Sequence, residues 1–156
     1  LKKLLLALGS DILMDEAISI ILARDIKRSF PDFELQILPV AGIELIESIT
    51  GFDFVVIIDT LITSDAESGE MIIFNGFHNA RTLHLQNPHD ANFHVSIRLA
   101  EALGYRIPEK IIVLGIQIKQ HLLASRVPSS AILKKYENLV KQTRGVIQQQ
   151  LDFWEV

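Results

Sequence analysis

Three stretches of the chain are apolar almost without a break over about the length of one β-strand, and few folds accommodate them. Lys3 to Leu8 (KLLLAL), Phe52 to Ile58 (FDFVVII) and Lys110 to Ile116 (KIIVLGI) lack the alternation of a half-exposed strand. They read as strands buried on both faces, which in a domain of this size means a parallel sheet covered by helices on either side. The intervening segments supply those helices. Ile18, Ile21, Leu22 and Ile26 recur at helical spacing, with Arg24, Lys27 and Arg28 on the opposite side. Ile43 to Ile49 forms a second helix after Gly42. Asp90 to Leu103 forms a third, with Asn87 as its N-cap, Pro88 in the first helical position and Gly104 as its stop. A last helix begins near Ser129 or Ser130 and carries the stripe Ile132, Tyr136, Leu139, Val140, Ile147 and Leu151, with Gly145 as a weak point.

Strand and helix alternate as in a doubly wound α/β domain. The expected fold is a three-layer αβα sandwich around a mostly parallel sheet of about five strands. Glu34 to Pro39 is a further strand. Glu70 to Phe74 follows the polar turn Ser64 to Gly69 too closely for a parallel crossover, so it is read as the one antiparallel strand. With 156 residues, 49% of them apolar, the chain has material for one core, and residues 1–156 are read as a single domain.

Charge and cysteine content narrow the function. A formal charge of -4, with lysines and arginines scattered, lacks the basic patch of a nucleic-acid binder. The absence of cysteine removes disulfides, thiolate metal sites and a cysteine nucleophile, and fits a reducing compartment. Any metal must therefore rest on oxygen and imidazole ligands. Lys2, Lys3 and the following leucines imitate a signal peptide, but the run stops at Gly9 and meets Asp11. No apolar stretch approaches the roughly 20 residues of a membrane span. The expectation is a cytoplasmic protein with no membrane insertion.

Right-handed crossovers bring the carboxyl ends of parallel strands to one edge, where ligands of such sheets bind. That edge collects Gly9 to Glu16, Val40 to Gly42, Asp59 with Thr60, and Gln117. Asp59 follows the run FVVII and is either a ligand or the cap of a turn with Thr60. Asp15 and Glu16 open the first helix. There the macrodipole favours carboxylates whether or not they have a further role, and Asp15 reads as the N-cap. His89 sits in a first helical turn, where the positive helix end opposes protonation and leaves the neutral imidazole a metal needs. Glu16, Asp59 and His89 together offer two carboxylates and a nitrogen, a set suited to nickel or zinc with positions left open. His78, His84, His94 and His121 read mostly as surface residues, although His84 and His94 could approach the same mouth. Ser10 lies in no nucleophile elbow, and Gly9 to Glu16 lacks the glycine spacing of a phosphate cradle.

The motifs Leu8-Gly9-Ser10-x-x-Leu13-x-Asp15-Glu16, Ile58-Asp59, Asn87-Pro88-His89 and Leu114-Gly115-Ile116-Gln117, in that order, resemble those of the hydrogenase maturation endopeptidases over nearly the whole chain. The resemblance implies a peptidase that removes the carboxy-terminal extension of a nickel-iron hydrogenase large-subunit precursor once nickel is inserted. It places Glu16, Asp59 and His89 on the metal-contacting, catalytic positions, and makes Gly42 and Gln117 the substrate-binding candidates. The nickel comes with the substrate, and no organic cofactor is implied. The chain departs from the family pattern in several places. Ser10 stands for Asn, Ala17 and Ser19 for glycines, Ile118 for proline, and Pro39-Val40-Ala41-Gly42 for a loop that usually carries an aspartate. The last change leaves open a noncatalytic relative that binds a metalloprotein partner or nickel without cleavage.

Overall fold

In the computed structural model, residues 1–39, 42–62, 68–77, 80–85, 93–119 and 124–154 are described. The three apolar runs are the centre of one sheet of order β2-β1-β3-β5-β4. Its strands are β1 (Lys3–Leu8), β2 (Phe33–Leu38), β3 (Phe54–Ile62), β4 (Met71–Asn75) and β5 (Lys110–Ile118). β1, β2, β3 and β5 are parallel, and β4 runs antiparallel to β5 at the edge. The tight connection thus gives an antiparallel strand, but its partner is β5 and not the strand preceding it.

The pleat sorts the strand residues into two cores. Leu5, Ala7, Val56, Ile58, Leu114 and Ile116 face helices α1 (Ala17–Ser29) and α5 (Tyr136–Trp154). Leu4, Leu6, Leu8, Val55, Ile57 and Val113 face α2 (Ile43–Ile49) and α3 (Phe93–Ala102). Both faces are covered, which is why the central strands tolerate no polar alternation. The result is the αβα sandwich. No described helix is long and apolar enough to cross a membrane.

Three local expectations are corrected. β3 does not stop at Ile58: it continues to Ile62 because β5 stays alongside it, pairing Asp59 with Gly115 and Ile62 with Ile118. The final helical stretch is two helices, α4 (Ser130–Lys134) and α5, because Lys135 leaves helical geometry (φ -102, ψ 2). Asp15 does not cap α1. A 3₁₀ turn, Met14–Glu16, precedes that helix, whose N-cap position is Glu16 without a side-chain capping bond. The Asn87 and Pro88 cap of α3 lies outside the described residues, while its stop at Gly104 (φ 81) is as expected. At the carboxyl end of α5, Trp154 stacks on Phe54 at 6.5 Å and Leu151 packs on the core, whereas Phe153 is 84% exposed.

Candidate functional site

The site begins where β1 ends. Ala7 pairs with Ile58, so Asp59 is the first residue of β3 past its β1 neighbour, with only β5 beside it. A carboxylate is tolerable inside the strand at that point because polar groups can reach it from the vacated side. Asp59 is fully buried, and a buried charge must be hydrogen-bonded. Its Oδ1 accepts from the Thr60 N–H (2.8 Å) and lies 2.7 Å from His84 Nδ1, and its Oδ2 accepts from the His84 N–H (2.9 Å). The turn with Thr60 and the buried site are thus the same feature.

His84 is delivered by a segment laid across β3 and β5. The Leu83 N–H bonds Thr60 O at 2.7 Å, and Thr82 sits over Gly115. A Cβ on Gly115 would lie 3.2 Å from both Thr82 Cγ2 and Phe74 Cε2. Gly115 therefore makes room for the segment that carries His84.

Glu16 arrives from the turn that follows β1. Gly9 has φ +140, and a Cβ there would meet the Glu16 carbonyl oxygen at 3.1 Å, so glycine lets the turn fold back on the end of β1. Glu16 is half-buried. Burial raises its pKa, with the Asp59 charge acting the same way, against the lowering effects of His84 and of a hydrogen bond from the Ser10 backbone. That last bond is a main-chain one, so Ser in place of Asn preserves it. For His84, burial favours the neutral ring, but the Asp59 hydrogen bond and the charges of Asp59 and Glu16 outweigh it, and its pKa is raised. Glu16, Asp59 and His84 thus form one electrostatic group at the carboxyl edge.

Asp15 and Glu16 part company. Asp15 is buried and accepts from the Ser129 N–H (2.7 Å) and the Ser129 hydroxyl (3.0 Å), tying the turn to the start of α4. The Ser125 N–H to Ile12 O bond (2.9 Å) and a bridge between Leu13 and Ala124 strengthen that junction.

Of the expected site residues, Glu16 and Asp59 both lie toward the carboxyl edge, close enough for the Asp59 charge to act on Glu16, and His89 lies outside the described residues, as do Val40 and Ala41. Gly42 opens α2 with φ +127, a conformation that favours glycine. It follows β2, on the far side of β1 from Asp59. Gln117 is 8% exposed and shares the Asp59 face of the sheet, two residues past Gly115. Its N–H donates to the Glu70 carbonyl and its C=O accepts from the Gly69 N–H, which fixes the backbone at this position. Among the described residues, no three His, Asp or Glu side chains converge closely enough to hold an ion. His84 is a residue that the sequence reading allowed near this mouth without giving it a role. Its one signal is the flanking Leu83 and Leu85, which mark a loop lying against the body of the fold.

No family model matches the chain, and no curated protein matches it. Solved structures do. The hydrogenase maturating endopeptidase HybD from E. coli superposes with a TM-score of 0.69 at 21% identity, over 96% of this chain and 94% of that one. The fold is that of the hydrogenase maturation endopeptidases. The NiFe hydrogenase maturation protease HybD from Thermococcus kodakarensis gives 0.70 at 19% identity, over 94% and 99% of the two chains. The maturation protease HycI from Thermococcus kodakarensis KOD1 gives 0.60 at 22% identity, over 94% and 92%. At these identities the likeness is one of fold, and it extends over nearly the full length on both sides.

Proposed function

We propose that the protein is a metal-dependent endopeptidase of the hydrogenase maturation type, which removes the carboxy-terminal extension of a nickel-iron hydrogenase large-subunit precursor in the cytoplasm after nickel insertion. The observation that carries this reading is the fully buried Asp59 sharing the carboxyl edge with a half-buried Glu16, on a fold whose solved examples include proteins named as hydrogenase maturation proteases. A carboxylate kept partly dry and a second held rigidly are suited to meeting a divalent ion. In this reading Glu16, Asp59 and His89 face the nickel, which belongs to the precursor, while Gly42 and the Gln117 amide border the peptide. Nickel so held supplies Lewis-acid polarisation of the scissile carbonyl or of a water. The chain's own part is to orient that ion through Glu16 and Asp59 and to keep bulk water from the buried Asp59.

The test is incubation of a nickel-loaded large-subunit precursor with the protein and with Glu16→Ala, read by mass spectrometry. The unmutated protein should shorten the precursor and the variant should not; an unchanged precursor mass with the unmutated protein counts against the reading. The loss of the loop aspartate in Pro39-Val40-Ala41-Gly42 favours a second reading, a noncatalytic relative that binds nickel or a metalloprotein partner. Nickel-dependent capture of the precursor without shortening would select it.

A further inference from the structure

We infer that His84 is a positioning residue that restricts Asp59 to a single metal-facing lone pair. The inference rests on the reading of Asp59 as a metal-facing carboxylate. An ionised carboxylate offers about four acceptor sites, two on each oxygen. On Oδ1 both are taken, by the Thr60 N–H and by His84 Nδ1, and on Oδ2 one is taken, by the His84 N–H. Because the carboxylate can only accept, Nδ1 must carry the proton. Among the described residues nothing takes the remaining site, which is on Oδ2. Asp59 can then reach an ion through that oxygen alone and in one direction, never through both oxygens.

Two of the three bonds come from one residue, and they grip both oxygens, so rotation of the carboxylate about its terminal torsion is blocked. His84 cannot drift away. Its segment is pinned by the Leu83 N–H to Thr60 O bond and is seated over Gly115, whose missing side chain leaves room for Thr82. The ring bond can be removed by mutation while the backbone bond remains, which makes the contribution separable. Hydrogen-bond partners of a metal ligand commonly change affinity by about 10–100-fold.

The experiment is a calorimetric titration of the full chain with nickel(II), paired with the visible absorption of cobalt(II), for the unmutated protein, His84→Ala and His84→Asn. With no cysteine in the chain, the cobalt spectrum reports oxygen and nitrogen ligands only. In asparagine, Nδ2 takes the place of the imidazole Nδ1 and can still donate to Oδ1, but nothing replaces Nε2. His84→Ala should weaken nickel binding about 10–100-fold and alter the cobalt bands, and His84→Asn should restore both. In an Asp59→Asn background neither substitution should matter further, which separates this effect from nickel bound elsewhere. Circular dichroism confirms that the variants fold. Unchanged affinity and bands in His84→Ala overturn the inference, as does a folded His84→Asn as defective as alanine, since Nε2 would then be the operative atom. Absence of nickel binding by the unmutated chain overturns the reading of Asp59 as a metal-facing carboxylate, and the inference falls with it. Precursor cleavage is scored separately. Cleavage with nickel affinity indifferent to His84 defeats the positioning role alone, and nickel affinity that depends on His84 without cleavage defeats the endopeptidase reading alone.

Discussion

Gly115→Ala tests whether the glycine in β5 exists to seat the segment that carries His84. The added methyl would lie 3.2 Å from Phe74 Cε2 and 3.2 Å from Thr82 Cγ2, where carbon contacts are comfortable at about 3.5–4.0 Å. Both neighbours must yield by a few tenths of an ångström. Thr82 is fully buried and hydrogen-bonded chain follows it immediately at Leu83 and His84, so it yields only by lifting those bonds. Overpacking of this kind costs about 1–3 kcal/mol. Replacing glycine in a strand returns about 0.5–1 kcal/mol of backbone entropy. The net loss is up to about 2.5 kcal/mol, or a melting temperature lower by up to about 10 °C for a domain of this length.

Gly145→Ala supplies the contrast. It lies within α5 with nothing inside 4 Å of its would-be Cβ, so the same chemical change should raise stability by about 0.5–1 kcal/mol. The assay is a thermal melt of both variants followed by circular dichroism, together with amide hydrogen exchange at Leu83 and His84. Gly115→Ala should melt lower and exchange faster at those two amides, and Gly145→Ala should melt higher with both amides unchanged. Equal gains from both substitutions, with undiminished protection at Leu83 and His84, would refute the seating argument.

Asp15→Ala removes the two hydrogen bonds that a buried carboxylate accepts from Ser129 and should cost about 2–4 kcal/mol in urea unfolding, while Asp15→Asn, which keeps an acceptor for the Ser129 N–H, should cost less. Asp32 has its pKa lowered chiefly by the hydrogen bond from Lys3, so its contribution is present above the ordinary carboxylate range and disappears as pH falls through the folded value. Because Asp32 is largely exposed, Asp32→Asn should lose no more than about 1 kcal/mol near neutral pH, and the difference from the unmutated protein should close in acid-shifted melts. Burial and the hydrogen bond to Asp25 raise the Tyr136 pKa, so stability should fall as pH climbs past about 10, and Tyr136→Phe should delete the latest phase of a spectrophotometric tyrosine titration.

The sheet was legible because burial on two faces leaves an unambiguous trace: Leu4 to Leu8, Val55 to Ile58 and Ile112 to Leu114 have no exposed side to encode. What interrupts that trace was misread. Asp59 and Thr60 look like the end of a strand because they are polar, yet the backbone continues to Ile62, since pairing with β5 is indifferent to side-chain polarity. The position of His84 was not legible for a different reason. A loop's path depends on where it can be seated, here on the bare backbone of Gly115, and that fit joins residues 33 and more positions apart with no periodicity to announce it. The motif Leu114-Gly115-Ile116-Gln117 was visible, but the reason for its glycine needed the coordinates.

The paired carboxylates show how local geometry assigns function where composition cannot. In a 3₁₀ turn successive side chains are about 120° apart around the axis, so adjacent acids cannot both face one ligand. In the Met14–Glu16 turn, Asp15 points to Ser129, while Glu16 feels the charges of Asp59 and His84. Each direction supports the other. The Asp15 bonds fix the rotation of the turn about its own axis, and the contact of Gly9 with the Glu16 carbonyl fixes its height above β1. Glu16 is a long side chain with no capping bond of its own in α1, so its placement depends on that frame. The start of α4, 114 residues away in sequence, is therefore part of what aims the glutamate. A chain with Glu16 intact but Ser129 or Asp15 altered would keep every expected donor while losing the direction of one of them.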